Sequence, residues 1–336
     1  MKTLLQTTPS GLYCAAGDFY IDPLRPVKRA VITHAHADHA RGGSASYLCA
    51  REGLDLLQAR IGPDAPIEAL AYGEQTTRHG VVLSLHPAGH IRGSAQVRIE
   101  HRGHVTVISG DYKTAADPTC TPLDPQRCHT FITESTFGLP IFKWPAADTV
   151  LASINAWWRQ NRGQGRTSVL FAYALGKAQR ILAGLDPTIG PIFCHGAVAK
   201  INRIYRKAGV SRPETAYVGD IKDKALLRGA LVLAPPSADH PAWMRRFPQR
   251  SRAFASGWMR IRGHRRRRAV DRGFIISDHC DWDGLTATIA ASGADAIGVT
   301  HGYSAEMVRW LQEKGRAAEV IEMTAAAETP VDEGGA

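Results

Sequence analysis

The six cysteines of this 336-residue chain form no CxxC pair and follow no spacing that marks a disulfide framework. Reduced thiols in a cytosolic protein are the simplest account of them. The sequence also has no apolar run long enough to cross a bilayer, and the apolar stretch after Met1 is too short for a signal peptide. No internal repeat or low-complexity block is present. We therefore expect a globular protein of the cytoplasm with no membrane partner.

Acidic residues are also in short supply, with 31 Asp and Glu against 41 Lys and Arg. The formal net charge of +10 and the pI of about 9.5 favour a polyanionic partner such as nucleic acid. Much of the basic charge lies in two neighbouring stretches, 245–252 and 260–268. Such a patch would neutralise phosphates and make binding depend on salt, although a solvated face has the same composition. Composition supports a nucleic-acid partner without proving one.

The stretch 34–39, His-Ala-His-Ala-Asp-His, places four ligands for a divalent metal within six positions. It follows the strand-like run 30–33, and a strand that ends in a tight turn directs alternate side chains toward one point. His34 and His36 are expected to share a face, while Asp38 and His39 turn toward a second ion. The alternative is a surface turn in which Asp38 caps a helix. The motif predicts one half of a dinuclear metal centre.

Three further candidates stand at the ends of apolar runs. His90 and Asp111 each follow such a run and a glycine, which lets the backbone approach a crowded centre without a clash from a Cβ atom. Asp22 ends another run and is a candidate for orienting a ligand histidine from behind. Each alone has an ordinary explanation as a turn residue. Together with the first motif they complete a ligand set.

The order of these residues resembles the signature of the metallo-β-lactamase fold. The matching positions are Asp22, His34, His36, Asp38, His39, His90 and Asp111. The resemblance implies an α/β protein, an αββα sandwich of two sheets flanked by helices, with the metals at a loop-lined edge. It implies little about the substrate, because members hydrolyse thioesters, lactams, lactones and phosphodiesters.

The second half of the chain narrows the substrate class. Glu134, His279 and His301 each end an apolar run and resemble, in turn, motifs A, B and C of the β-CASP nucleases. The stretches 256–259 (Ser-Gly-Trp-Met) and 262–268, which is rich in arginine, are similar to those of bacterial ligase-associated DNA exonucleases. Those enzymes are relatives of the Snm- and Artemis-like repair nucleases. The resemblance covers nearly the whole chain.

The resemblance also assigns ligands to two divalent metal ions. One ion would be held by His34, His36 and His90, the other by Asp38, His39 and His301, with Asp111 bridging them. These ligands fit both Zn²⁺ and Mn²⁺. Because some DNA-acting members have no histidine at motif C, a structural role for His301 is the alternative, and the second metal would then bind more weakly.

The expected chemistry is hydrolysis of a phosphodiester. Two ions about 3.5–4 Å apart activate a water for in-line attack on phosphorus. His279, held by Glu134, would protonate the leaving oxygen. Asp38, Glu134 and His279 are thus the predicted catalytic residues. Cys280, which adjoins His279, is interpreted as a small buried residue rather than as a nucleophile.

The order of the motifs predicts an insertion. We expect a metallo-β-lactamase domain in two parts, residues 1–140 and 263–325, a β-CASP cap at 141–262 and a flexible tail at 326–336. Within the cap, helical spacing over 148–159 and a buried strand at 168–172 indicate a parallel α/β sheet. Trp157 and Trp158 are interpreted as core or interface residues rather than as platforms for bases.

Several basic residues of the cap are candidates for contact with the substrate. They are Lys177, Arg180, Arg260, Arg262, Arg265 and Arg266. Lys177 and Arg180 follow a strand and open a helix, where backbone N–H groups receive phosphate. The alternative is a plain strand-to-helix turn with Lys177 in solvent. His195, which ends another apolar run, ranks below His279 because it has no evident acidic partner.

The resulting hypothesis is a DNA exonuclease of DNA repair, acting at the nucleoid from 5′ to 3′. Its expected partners are single-stranded DNA, or DNA with a free end, an ATP-dependent DNA ligase and other repair proteins. An RNA-processing β-CASP nuclease is the first alternative, since His301 is present. A small-molecule metallo-hydrolase would need no motifs A, B and C. A catalytically silent nucleic-acid scaffold would not need the complete ligand set.

Overall fold

The computed structural model of the protein describes residues 4–322, apart from the side chains of Arg265 and Arg267. The described residues form two compact units, which the chain enters and leaves between Lys143 and Trp144 and between Asp278 and His279. The predicted tail at 326–336 lies outside the described residues. No helix of the described part is long and apolar enough to span a membrane.

The first unit contains residues 4–143 and 279–322 and is built on two sheets. In spatial order, the strands of its six-stranded sheet are β1 (Leu5–Thr8), β2 (Gly11–Cys14), β3 (Phe19–Ile21), β4 (Ala30–Val31), β5 (Tyr47–Ala50) and β6 (Ile67–Leu70). The first three are antiparallel neighbours, and β3 to β6 are parallel. Tight turns join the antiparallel strands, while the parallel ones need longer connections.

The second sheet of this unit has seven strands. In spatial order they are β19 (Ala317–Val320), β18 (Ala296–Thr300), β11 (Thr130–Glu134), β10 (His104–Ile108), β9 (Ala95–His101), β8 (Val81–Pro87) and β7 (Gln75–Arg78). The strands from β7 to β10 are antiparallel, and those from β10 to β19 are parallel. Strands β11 and β18 therefore end at the same edge of the sheet.

The two sheets share one apolar core. On β8, Val81, Leu83 and Leu85 alternate toward it and are fully buried, as the period of two along a strand requires. They belong to the same cluster as Leu12 and Leu48 of the first sheet. Helix α1 (Leu54–Ile61) packs on the outside of the first sheet, and helices α7 (Trp282–Ser292) and α8 (Ser304–Glu313) pack on the outside of the second. The layers are helix, sheet, sheet and helix.

The second unit is an α/β domain with one parallel sheet of six strands. In spatial order they are β14 (Ala216–Tyr217), β13 (Ile192–Cys194), β15 (Leu231–Ala234), β12 (Thr167–Phe171), β16 (Arg250–Ala255) and β17 (Arg272–Phe274). Its helices are α2 (Ala147–Gly163), α3 (Lys177–Ala183), α4 (Gly196–Lys207), α5 (Pro241–Met244) and α6 (Arg262–Arg267). The predicted α/β class is confirmed, and Trp157 and Trp158 are buried core residues.

The bounds of the second unit differ from those expected for the cap. We expected 141–262, whereas the compact unit runs from Trp144 to Asp278 within the described residues. Strand β17 pairs in parallel with β16, with Arg272 opposite Ala253. This pairing joins residues 19 positions apart, and the sequence around residue 262 gives no sign of it.

Candidate metal centre

Every side chain predicted to bind metal lies in the first unit, at or near the ends of its strands. Residues 34–39 follow β4, His90 follows β8 and Asp111 follows β10. Glu134 is the last residue of β11, and His301 follows β18. Since these strand ends meet at one edge of the two sheets, residues up to 267 positions apart in sequence are brought to one region.

Four of the predicted ligands form a compact group. The ligand atoms of His34, His36, His90 and Asp111 all lie within 4.8 Å of one another. His36 Nδ1 is 3.1 Å from His34 Nε2 and 3.0 Å from His90 Nε2. Ligand atoms of a tetrahedral ion with bonds of about 2.0–2.1 Å are separated by about 3.3 Å. The spacing and the donor types therefore fit a divalent cation.

Asp111 also faces the second predicted group. Its Oδ2 atom lies 3.4 Å from His34 Nε2, 3.7 Å from His90 Nε2 and 3.5 Å from His39 Nε2. His39 Nε2 is in turn 3.6 Å from Asp38 Oδ2. The ring centroid of His301 is 5.5 Å from that of His39, compared with 4.2 Å between the rings of His34 and His39. One carboxylate oxygen thus stands between two sets of donors.

The electrostatics of the group also favour a cation. Burial lowers the pKa of His34 well below its usual value, and the neighbouring histidines add to this shift, so His34 is a neutral ring that can donate a lone pair. Burial raises the pKa of Asp111 to about 7. At His39 burial opposes protonation, but Asp111 and Asp38 outweigh it and raise the pKa well above its usual value. The buried carboxylates thus draw protons to the group, and a bound divalent ion would supply positive charge in their place.

Asp22 contacts His39, a predicted metal ligand, on the side away from Asp111. Its Oδ1 accepts a hydrogen bond from the Thr33 backbone N–H at 2.8 Å, and its Oδ2 accepts from the Thr33 hydroxyl at 2.5 Å. The same Oδ2 lies 2.7 Å from His39 Nδ1. When a cation displaces the Nε2 proton of His39, the Nδ1 proton stays with Asp22 and the Nε2 lone pair is directed toward Asp111. A carboxylate fixes the tautomer of a metal ligand in this way.

His279 and Glu134 form a second cluster that shares Asp111. Both oxygens of Glu134 lie close to His279 Nδ1, at 3.0 and 2.8 Å. His279 Nε2 lies 4.0 Å from Asp111 Oδ2, so its other nitrogen faces the metal ligands. Burial opposes ionisation of Glu134, but His279 outweighs it and lowers the pKa of this carboxyl. Glu134 is therefore an ionised partner that holds the ring by Nδ1.

Residues that support these side chains were missed by the sequence analysis. Thr33 binds Asp22, and its hydroxyl is 3.1 Å from His34 Nδ1. The backbone N–H of Tyr112 donates to Glu134 Oε1 at 2.9 Å. The hydroxyl of Ser94 accepts from the backbone N–H of His90 at 3.1 Å. The one signal available in the sequence was the Thr-His pair, which occurs at Thr33 and again before His301.

In the second unit, the structure buries two of the predicted substrate contacts. Lys177 is 1% exposed, with its Nζ 3.6 Å from Asp278 Oδ2 and 4.2 Å from the ring centre of Tyr173. Arg180 is 4% exposed and donates to the Ser277 carbonyl at 2.8 Å. Neither side chain faces solvent, as the alternative of a plain strand-to-helix turn required for Lys177, because the chain just before His279 supplies acceptors to both.

The remaining basic candidates are placed differently. Arg260, Arg262 and Arg266 are exposed, in or next to the short helix α6, while the side chain of Arg265 lies outside the described residues. His195 precedes α4, and its Nδ1 accepts from the Ala197 backbone N–H at 3.2 Å. This contact is a helix cap, an ordinary structural role for a polar residue at that position.

A scan against models of protein families matches none. Several curated proteins are similar to the chain, including the following three. A probable DNA ligase of Opitutus terrae is 32% identical over 91% of this chain and 30% of its own length. An RNase J-like protein of Methanocaldococcus jannaschii is 24% identical over 54% of this chain and 50% of its own. Endoribonuclease YSH1 of Gibberella zeae is 28% identical over 60% and 25%, respectively. The chain thus spans half or less of each of these relatives.

Among solved structures, a protein of unknown function from Enterococcus faecalis matches with a TM-score of 0.60 at 11% sequence identity. The match covers 88% of this chain and 79% of that one, so the two share a fold. The order of the predicted ligands along the chain and the curated relatives together assign the protein to the metallo-β-lactamase class. The chain belongs to the β-CASP family within that class.

Proposed function

We propose that the protein is a two-metal phosphodiesterase that degrades DNA from one end. The observation that carries this proposal is the position of Asp111 Oδ2, within 3.7 Å of the Nε2 atoms of His34, His39 and His90 and 4.0 Å from that of His279. A carboxylate so placed is suited to bridge two cations beside a proton donor. In this proposal the first unit is the metallo-β-lactamase sandwich and the second is the β-CASP cap.

The residues present fit two divalent ions. His34, His36 and His90 would hold one, Asp38, His39 and His301 the other, and Asp111 would contact both. When bound, two such ions lower the pKa of a water and neutralise charge on a phosphoryl oxygen. Zn²⁺ and Mn²⁺ both suit imidazole and carboxylate donors. Asp22 keeps His39 in the tautomer that presents Nε2.

His279 is the proposed proton donor to the leaving oxygen. Its Nδ1 is held at 2.8 Å by the ionised carboxylate of Glu134, which stabilises the imidazolium form of the ring. The proton available for transfer is then the one on Nε2, on the side that faces Asp111. Glu134 acts through His279 and keeps this ring oriented, which is the usual role of a carboxylate partner.

The comparisons favour DNA as the substrate over RNA. The relative named a probable DNA ligase matches 91% of this chain, which supports an association with a DNA ligase. The relatives named as RNases match only 54% and 60% of it. RNA processing is the second candidate because of those names. Exposed Arg260, Arg262 and Arg266 would contact the backbone of a single strand or a free end.

The test is digestion of end-labelled single-stranded DNA and of RNA with the same sequence, in Mn²⁺ or in Zn²⁺. Wild type is expected to shorten the DNA stepwise from its 5′ end, and Asp38→Ala and His279→Ala are expected to abolish the cutting. Two variants outside the cluster serve as controls, Asp64→Asn at an exposed site and His101→Gln at the end of β9. Both should cut like wild type.

The outcomes separate the candidates. Faster shortening of the RNA would replace the DNA exonuclease with the RNA-processing alternative. Internal cuts in DNA would overturn the exonuclease assignment while retaining a nuclease. If neither strand is cut in any metal, the phosphodiesterase proposal fails, and a small-molecule metallo-hydrolase takes its place.

A further inference from the structure

A cavity of about 400 Å³ lies within the second unit and is separate from the metal ligands. Its volume is in the range of small-molecule pockets, about 300–1,000 Å³. It is lined by the segment around α5 and by the first residues of β16. Its charged lining residues are Asp239, Arg245, Arg250 and Arg252. Three positive groups and one negative group give the lining a net charge of +2.

The alternation of β16 places two of these arginines on one face of the sheet. Ser251 faces α2, where its hydroxyl accepts from Trp157 Nε1 at 3.1 Å. Arg250, Arg252 and Phe254 therefore face the other side, because side chains alternate along a strand. Phe254 is 4% exposed in that side's apolar core. The side chain of Arg252 is only 27% exposed. Arg252, a charged residue, thus lies on the same face of β16 as the buried Phe254.

The donors of Arg252 are only partly used within the chain. One amino group forms an ion pair with Asp239, and the other is 3.4 Å from the Ala269 carbonyl. Its Nε is buried and has no hydrogen-bond partner among the described residues. Arg250 donates to the Phe247 carbonyl at 2.8 Å. Buried donors almost always have an acceptor, and leaving one without is destabilising. Because this atom is closed to solvent, an acceptor from outside the chain would satisfy it by drawing the guanidinium group into the cavity.

We infer that this cavity binds a phosphate ester through Arg250 and Arg252. The planar guanidinium group matches phosphate oxygens with two parallel hydrogen bonds, and paired arginines in a half-buried cavity favour a dianion over a neutral ligand. Asp239 competes for Arg252, so the ligand must replace part of that ion pair. The phosphate is supplied either by a nucleic-acid strand or by a free mononucleotide. The inference uses residues of the second unit alone and does not depend on the proposed nuclease activity.

The test is calorimetric titration of the full-length protein with two probes, deoxythymidine 5′-monophosphate and a phosphorothioate DNA decamer that resists cleavage. Arg252→Gln and Arg250→Gln are expected to weaken binding of the monophosphate about tenfold or more, since each removes a desolvated charge partner. Arg203→Gln is the matched control, because it makes the same change in charge at an exposed position of α4. It should bind like wild type.

Asp239→Asn is expected to change the affinity for the monophosphate in the opposite direction, and it therefore distinguishes a binding effect from misfolding. Removal of the competing carboxylate is expected to tighten monophosphate binding several-fold, a gain that damage to the fold cannot produce. If Arg252→Gln weakens both probes, the phosphate belongs to a strand; if it weakens only the monophosphate, the ligand is a free nucleotide.

Equal losses in Arg203→Gln and Arg252→Gln would overturn the inference in favour of net charge. The inference would also be overturned if Asp239→Asn bound the monophosphate no more tightly than wild type. It would be overturned as well if wild type bound the monophosphate no more tightly than Arg252→Gln. If the protein binds the monophosphate through Arg252 but cuts neither DNA nor RNA, the inference about this cavity holds and the nuclease proposal fails.

Discussion

In the first unit, histidines and a buried carboxylate converge with their ligand atoms within 4.8 Å of one another, and burial raises the pKa of Asp111 to about 7. In the second unit, buried cations such as Lys177 have a counter-charge within the chain, in Asp278. The first arrangement is one that a divalent cation would complete, whereas Lys177 already has its counter-charge within the chain. The difference shows that buried charge by itself does not identify a site. What identifies it is whether the chain supplies the compensating groups.

The substitution Asp111→Ala is expected to have the largest effect, because it removes the carboxylate that distinguishes the first unit from the second. Because Asp111 Oδ2 faces both donor sets, its loss should remove both cations and abolish cleavage. Metal content by mass spectrometry and the shift of Tm on chelation would be measured. Chelation should lower the Tm of wild type and leave that of the variant unchanged. A variant with full metal content would contradict the bridging role. Asp64→Asn is the control.

The proton-donor pair gives the next largest effect. His279→Gln should lower kcat by about 10²–10⁴-fold, the range for loss of a general acid, while the metal content stays at the wild-type level. Glu134→Gln should lower kcat as well, and the double variant should be little worse than His279→Gln alone, since Glu134 acts through that ring. Additive losses in single-turnover assays would show that Glu134 acts independently.

The second unit is tested through its ion pair. Lys177→Met removes the cation paired with Asp278 and should lower the free energy of unfolding by about 3–5 kcal/mol, the usual effect of breaking a buried pair. Lys177→Met combined with Asp278→Asn should lose less. Urea denaturation would measure both, with the exposed Lys222→Met as control. If Lys177→Met unfolds like wild type but loses affinity for DNA, Lys177 is a substrate contact after all.

Asp22→Asn sharpens the comparison at the periphery of the metal centre. It weakens the acceptor that holds His39 Nδ1, so metal affinity should fall by about 10–100-fold, the range for residues that orient metal ligands. Competition with a chromogenic chelator would measure the change. Asp18→Asn, directly before β3 in the same sheet, should bind metal like wild type. An equal loss in both variants would point to a general effect of charge.

The smallest expected effect concerns Cys280. Burial raises the pKa of this thiol to about 12, which leaves about one thiolate in 10⁴ molecules at pH 8. Iodoacetamide at that pH should therefore leave Cys280 unmodified in the folded protein and label it above pH 11 or after unfolding. Cys280→Ala should retain wild-type kcat. Rapid labelling at pH 8, or loss of activity in Cys280→Ala, would revive the nucleophile interpretation.

The sequence by itself determined the ligand types and their order. Residues 34–39, His90 and Asp111 could be predicted as metal ligands because strand ends and adjacent glycines are local features. Apolar runs and short turns in the sequence indicate them. The α/β class and the burial of Trp157 and Trp158 followed from the same local periodicity. These features depend on neighbours in the chain, which is why a single sequence reveals them.

Only the tertiary structure decided which groups compensate one another. The contact of Thr33 with Asp22, the pairing of Lys177 with Asp278 and the pairing of β17 with β16 join residues 11, 101 and 19 positions apart. Such contacts depend on how strands and helices pack, and the sequence around each partner does not name the other. For the same reason the arginines of β16 appeared in the sequence as a basic patch. The fold shows that both of them, Arg250 and Arg252, line a cavity in which Asp239 is the one carboxylate among the lining residues.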